Sequence, residues 1–207
     1  MSPGATMERV YLDLKARVLA GEFAPGARLD PLLLSRSLSA SATPVRDALN
    51  RLSGERLVES WHQEGFRQPQ LAEGDISDLY IWAGSLLSLA LKGRTPMPES
   101  PDGLIELATH DRYSEGIDRL FRTIAIGSSH RELRYAIVNV IERTAAIRET
   151  EAAVDERAAH ALAAMSEDYR FGRWSSLRNK ITQFHRRRVA FASRVAARVR
   201  PRSQPLR

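Results

Sequence analysis

The 207-residue chain contains no cysteine. That absence removes disulfide frameworks, thiolate zinc sites, iron–sulfur clusters and cysteine nucleophiles together. Aromatic residues make up only 7% of the chain, and no apolar run approaches the ~20 residues that cross a bilayer. The opening MSPGATMERVYLDLKARVLAG has no secretory apolar core and no small-residue cleavage site. A cytoplasmic protein with no membrane contact is therefore expected. Also missing are a Gly-rich phosphate loop, an HExxH pair and any nucleophile–base constellation, so an enzyme is not expected. Residues 171–207 contain no aspartate or glutamate at all.

What is present is an ordinary globular balance, with 43% hydrophobic and 27% charged side chains. The length allows one large domain or two small ones. The net charge of +6 and pI near 10.1 suggest an anionic partner, but the charge is uneven. Residues 1–71 carry 9 Lys+Arg against 8 Asp+Glu, residues 72–170 carry 11 against 17, and residues 171–207 carry 11 against none. Blocks this different have different neighbours.

In the first block, Val10, Leu14 and Val18, widened by Tyr11 and Leu19, form the apolar stripe of a helix that stops at Gly21. Residues 1–6 are expected to be flexible. Pro25-Gly26 marks a turn, and Asp30 caps a second helix running through Leu33 and Leu34 to Leu38. Pro44 suits the first turn of a third helix, whose buried face is Val45, Ala48, Leu49 and Leu52. Leu57–Trp61 and Phe66–Pro69 read as strands joined by the turn His62-Gln63-Glu64-Gly65. Three helices and a hairpin in this order predict a winged helix-turn-helix over residues 7–71, with its third helix placed for a DNA major groove. The chemistry agrees. Small polar residues such as Ser41 and Thr43 let a helix N-terminus approach phosphates, and a planar cation such as Arg46 can reach guanine O6 and N7. Arg67 or His62 in the wing could reach a flanking groove or phosphate. The plainer alternative is that Arg46 pairs with Asp47 or Glu55 and only solubilises its helix.

The segment Val18–Leu29, with Gly21, Pro25, Gly26 and Leu29, resembles the opening pattern of GntR-family transcription regulators. Ser41-Ala42-Thr43-Pro44-Val45-Arg46-Asp47-Ala48-Leu49, followed by Arg51-Leu52, resembles their recognition-helix signature, S-R-T-P-V-R-E-A-L-x-R-L. Leu57-Val58 and Gly65-Phe66 match the strand and wing that follow. The resemblance implies a DNA operator as partner, contacted by Ser41, Thr43, Pro44, Arg46, Asn50, His62, Gly65 and Arg67. Ala42 stands where the pattern has an arginine, and Pro31 and Leu32 occupy the exposed start of the second helix, so the operator preference departs from the family's.

From Asp75 onward the chain reads as helices. Ile76, Leu79, Tyr80, Ala83, Leu86, Leu87 and Leu91 form one stripe, with Gly84 allowing close packing. Residues 92–102 are a Pro/Gly loop, and Ile105–Ala108 a short element. Ile117–Ile126, Leu133 to about Arg148, and Glu151 to about Arg170 read as further helices. A last helix carries Trp174, Leu177, Ile181, Phe184, Phe191 and Val195 on one face. The expected fold is mainly α, a winged helix-turn-helix followed by an all-α six- or seven-helix bundle over 72–200, with 201–207 flexible.

That arrangement resembles the FadR-type branch of the GntR family, whose FCD-like helical domain binds a small effector and in many members holds a metal through Asp-x-x-x-His and two further histidines. Asp118 matches, but Arg122 replaces the first histidine. The other two positions fall near Leu162 and Phe184, with His160 and His185 beside them. A residue one step along a helix points about 100° away, so an intact metal site is not expected, and no cofactor is assigned. Arg122 beside Asp118 could instead hold an acid by a bidentate fork, with Trp82 and His185 nearby, or the two could form a plain i,i+4 pair. Arg186-Arg187-Arg188, Arg194, Arg198, Arg200 and Arg202 form a solvated basic face balanced by the acidic block, or touch DNA or a partner subunit. The leading reading is a homodimeric, sequence-specific transcription regulator, more often a repressor, controlled by a small-molecule effector such as an organic acid. The alternative is an adaptor or DNA-architectural protein without an effector.

Overall fold

A computed structural model describes residues 3–61, 64–92 and 112–199. They fall into two compact units, one ending at Leu71 and the other running Ala72–Val199.

The first unit runs α1 (Pro3–Leu19), β1 (Arg28–Leu29), α2 (Pro31–Ser37), α3 (Ala42–Gly54), β2 (Glu59–Trp61) and β3 (Gly65–Arg67). α1 begins at Pro3, inside the stretch expected to fray, because a proline in the first turn has no N–H to leave unsatisfied. Its stripe of Val10, Tyr11, Leu14 and Val18 is buried in one cluster with Val45, Leu49 and Leu52 of α3. Asp30 caps α2, its carboxylate accepting from the Leu32 backbone N–H at 2.8 Å. Both terminal nitrogens of Arg9 donate to the Leu38 carbonyl at 3.1 Å, closing the C-terminal end of α2.

The wing is larger than the expected hairpin. β1 joins it, giving an antiparallel sheet of order β1-β3-β2 with Leu29 opposite Phe66 and Arg28 opposite Arg67. A two-residue strand is too short to show an alternating pattern, so only the fold reveals it. Leu57 and Val58 precede β2 and belong to the core.

The second unit contains α4 (Glu73–Ala90), α5 (Tyr113–Ile126), α6 (Arg131–Arg143), a 3₁₀ turn (Ala145–Ile147), α7 (Arg148–Val154), α8 (Ala158–Arg170) and α9 (Trp174–Val199). The six α-helices are those of the described residues; the expected loop at 92–102 and the short element at 105–108 lie almost wholly outside them. α4 packs along α9, and a Cβ at Gly84 would stand 3.0 Å from the Cβ of His185. Glycine is what permits that approach.

The expected single helix from Glu151 to Arg170 is broken at Asp155, whose backbone is extended (φ −129°, ψ 97°). The break lets the Asp155 side chain accept from the Arg157 backbone N–H at 3.1 Å while its other oxygen meets Arg188. The inward stripe of α9 also differs from the expected apolar set. It runs Trp174, Leu177, Ile181, Phe184, His185, Arg188, Ala192 and Val195, with an arginine at its centre, and Phe191 is only partly covered.

Candidate functional site

In the first unit, α3 presents Ser41, Thr43, Arg46 and Asn50 to solvent while Val45, Ala48, Leu49 and Leu52 face the core. Pro44 is half-buried at the third helical position, where its missing N–H is one of the four that a helix start leaves unpaired. Ser41 is the N-cap, yet its hydroxyl makes no capping hydrogen bond. Among the described residues Arg46 has no hydrogen-bond or ion-pair partner. Glu55, one of the two acids the sequence offers it, accepts from Lys15 at 2.8 Å and from the Tyr11 hydroxyl at 2.7 Å. Burial raises the Tyr11 pKa, with the Glu55 contact adding to it, so this hydroxyl remains a donor.

The wing adds a second cationic patch. Gly65 adopts φ +82°, a left-handed turn conformation that favours glycine. Arg67 reaches Glu64 at 3.2 Å and stands directly across the sheet from exposed Arg28. Like charges placed opposite one another on a sheet repel, and Glu59, opposite Arg67 on β2, together with Glu64 offsets that repulsion. Arg28 was missed in the sequence, since its neighbour is 39 positions away. His62 lies outside the described residues. Leu32 and Leu33 are 65% and 63% exposed at the start of α2, so that helix offers an apolar rather than a polar approach.

In the second unit the sequence-nominated effector residues do not form one pocket. Trp82 is 51% exposed on the outer face of α4 and does not line the interior cavity. Asp118 and Arg122 are neither an open fork nor an isolated surface pair. Arg122 Nε donates to Asp118 at 2.7 Å and its Nη2 is 3.7 Å from Glu142, while Arg148 Nη1 donates to the other Asp118 oxygen at 3.0 Å. Arg148 is buried and also donates to Thr144 and to the Ile141 carbonyl.

The interior cavity is lined by residues that include Tyr80, Phe121, Arg148, Glu151, Phe184 and His185. Beside it lies a network the sequence did not announce. Glu151 accepts from the Tyr80 hydroxyl at 2.8 Å, from the Tyr113 hydroxyl at 2.9 Å and from Arg188 Nε at 3.4 Å. Arg188 Nη1 donates to Asp155 at 2.9 Å, its Nη2 meets the Tyr113 hydroxyl, and its guanidinium carbon lies 3.7 Å from the centre of the Phe184 ring. Arg187 also bonds Asp155. Only 2% of the Arg188 side chain is exposed. Burial pushes both tyrosine pKa values far up, with the Glu151 charge adding to it, so both phenols stay protonated donors.

This geometry does not fit a family-type metal centre. Both Asp118 oxygens are taken by guanidinium groups, and Leu162 packs its methyl against Gly116 in place of a second ligand. His185 spends its Nδ1 on the Ile181 carbonyl at 2.9 Å and stacks on Phe121 at 5.6 Å between centroids. Among the described residues no group of three acidic or histidine side chains could hold a metal ion.

His185 gives a measurable consequence. Complete burial pushes its pKa down to about 4 against an ordinary 6.5, with nearby Arg188 acting in the same direction and the Ile181 carbonyl opposing. Above pH 6.5 neither the folded nor the unfolded chain binds this proton. Below it the unfolded chain does and the folded one resists, so stability falls by roughly 1 kcal/mol per pH unit down to about pH 4. Denaturant midpoints between pH 7 and 4.5 should therefore be less pH-dependent in His185→Gln, and equal slopes would contradict this account.

Residues 6–67 match the family model described as bacterial regulatory proteins, gntR family. Over 70 residues, 34% of this chain, the sequence is 30% identical to the HTH-type transcriptional regulator YdhC of Bacillus subtilis, covering 31% of it. Over a stretch of the same length it is 33% identical to the HTH-type transcriptional repressor GlaR of Escherichia coli, covering 32% of that protein. The match thus spans about a third of the length of these curated relatives. In three dimensions the chain is similar to a crystal structure from Rhodococcus sp. RHA1 described as a GntR transcriptional regulator. The TM-score is 0.77 at 17% identity, covering 91% of this chain and 97% of that one. The architecture is a gntR-type winged helix followed by a helical unit. No helix of the described residues is long and apolar enough to cross a membrane.

Proposed function

With a gntR-family domain over residues 6–67 as the premise, we propose that this protein is a sequence-specific DNA-binding transcription regulator. The observation that carries the reading is the free, solvent-facing set of Thr43, Arg46 and Asn50 on α3, at a helix start whose backbone N–H groups are unsatisfied. Arg46 reads a guanine edge, Ser41 and Thr43 meet phosphate, and Arg67 with Arg28 holds the flanking backbone. The protein acts as a homodimer on a palindrome whose half-sites lie about 34–36 Å apart, one helical turn.

The second unit resembles the FCD-like domain of the FadR-type branch, and it is the effector and dimerisation domain of a cytoplasmic repressor. Arg148 and Arg188, not a metal, supply the positive charge for an organic acid there. Effector binding then shifts the population of dimers able to span both half-sites.

Fluorescence anisotropy on DNA from upstream of the protein's own gene tests the reading. Binding to a short palindrome should survive non-specific competitor and weaken steeply between 50 and 200 mM salt, by about 10³-fold or more for six or so phosphate contacts. Competitor DNA that displaces the protein as readily as the palindrome does would sink it.

A further inference from the structure

The Glu151 carboxylate has the surroundings of a bound acid. Its donors, the Tyr80 and Tyr113 hydroxyls and Arg188 Nε, come from α4, α5 and α9, three elements other than its own α7. They converge on one buried carboxylate, as polar groups in a ligand site converge on the group they recognise. Arg188 is also held without Glu151, through Asp155 and the face of Phe184. The cage is thus supported from outside itself. The open space in the adjoining cavity is only about 20 Å³, room for one water.

We propose that Glu151 is a resident ligand of an anion site in the helical unit, and that a small aliphatic monocarboxylate occupies the site by displacing it. The charge balance sets the class. Arg187 and Arg188 are matched by Asp155 and Glu151, so exchanging Glu151 for one monoanion keeps the cluster neutral. A dianion would leave a negative charge buried. Size sets the range, since what leaves is a carboxylate on two methylenes, the dimensions of propionate. The element that must move is also small. α7 has seven residues, no side-chain N-cap, a 3₁₀ turn before it and the Asp155 break after it. The polar groups facing Glu151 are Tyr80, Tyr113 and Arg188, with Arg148 on the same cavity wall. A regulatory role for this exchange rests on the effector reading above; the site itself does not.

The test uses the full chain, with thermal melting and calorimetric titration in sodium propionate or acetate against sodium chloride at matched ionic strength. Glu151→Ala should melt below wild type and regain stability in the carboxylates but not in chloride, by a shift several-fold larger than wild type shows. Should that variant not fold, Glu151→Gln keeps the shape without the charge and should bind propionate roughly tenfold more tightly than wild type, about one bond to a competing charge. Equal responses in wild type and the folded variants, or no response in any, would overturn the proposal. DNA affinity measured with and without propionate separates the two claims. Carboxylate binding that leaves DNA affinity unchanged supports the site and removes the regulatory reading.

Discussion

Arg188→Leu is expected to destabilise the helical unit by about 3–5 kcal/mol, because the substitution strands buried Glu151 and Asp155 without their common cation. That is a large part of the 5–15 kcal/mol typical of a whole domain, so the denaturation midpoint of the unit should fall steeply. Arg188→Lys should recover little of this. One ammonium cannot address Glu151, Asp155 and the Tyr113 hydroxyl from the plane that also stacks on Phe184. Arg186 and Arg194 supply the control, since both are exposed and their alanine variants should stay within about 0.5 kcal/mol of wild type. Urea unfolding followed by far-ultraviolet circular dichroism reads all four. A loss below about 1 kcal/mol for Arg188→Leu would mean that the network does not hold the bundle together.

Arg46→Ala has the largest expected effect on DNA binding. Its side chain is exposed and makes no hydrogen bond or ion pair among the described residues, so folding should be unchanged. Affinity for the operator should fall by about 1–3 kcal/mol, roughly 5- to 150-fold, with relaxed preference at one guanine position. Arg67→Ala should behave differently. A phosphate contact weakens binding to all sequences alike and lowers the salt slope by about one. Competition anisotropy with single-base operator variants distinguishes the two. Uniform weakening by Arg46→Ala would reassign it to the backbone and move sequence readout elsewhere on α3.

Helix α3 was legible because its information is local. Pro44, the Val45–Leu52 stripe and the polar residues between them lie within three turns, and helical periodicity alone separates the buried face from the exposed one. The same local logic misplaced Arg188. Read as part of a basic run with Arg186 and Arg187, it belongs to a solvated face, or to a surface that touches DNA or a partner subunit. It sits four residues after Phe184 and four before Ala192, on the buried stripe. That spacing was the available signal, and charge overrode it. Arg28 carried no comparable signal, because a two-residue strand has no period to detect.

The uneven charge also takes on a new meaning in the fold. Arg173, Lys180, Arg187 and Arg188 of the basic C-terminal block pair respectively with Glu167, Asp168, Asp155 and Glu151 of the acidic one. Much of the apparent excess is internal neutralisation, while Arg186, Arg194 and Arg198 stay exposed.

By itself the sequence determined what depends on neighbours a few residues apart: the order of most helices, most of the buried stripes, the cap at Asp30, and the signature on α3 that resembles the family's DNA-contacting helix. The tertiary structure alone decided which charges meet. Glu151 finds Arg188 across 37 positions and Tyr80 across 71, and no local period encodes pairs that distant. Desolvation makes those pairings decisive. Once the helices pack, a buried carboxylate must find its donors within the bundle, and that requirement turns a basic residue inward, breaks a helix at Asp155 and fills the interior that the sequence suggested was open for a ligand.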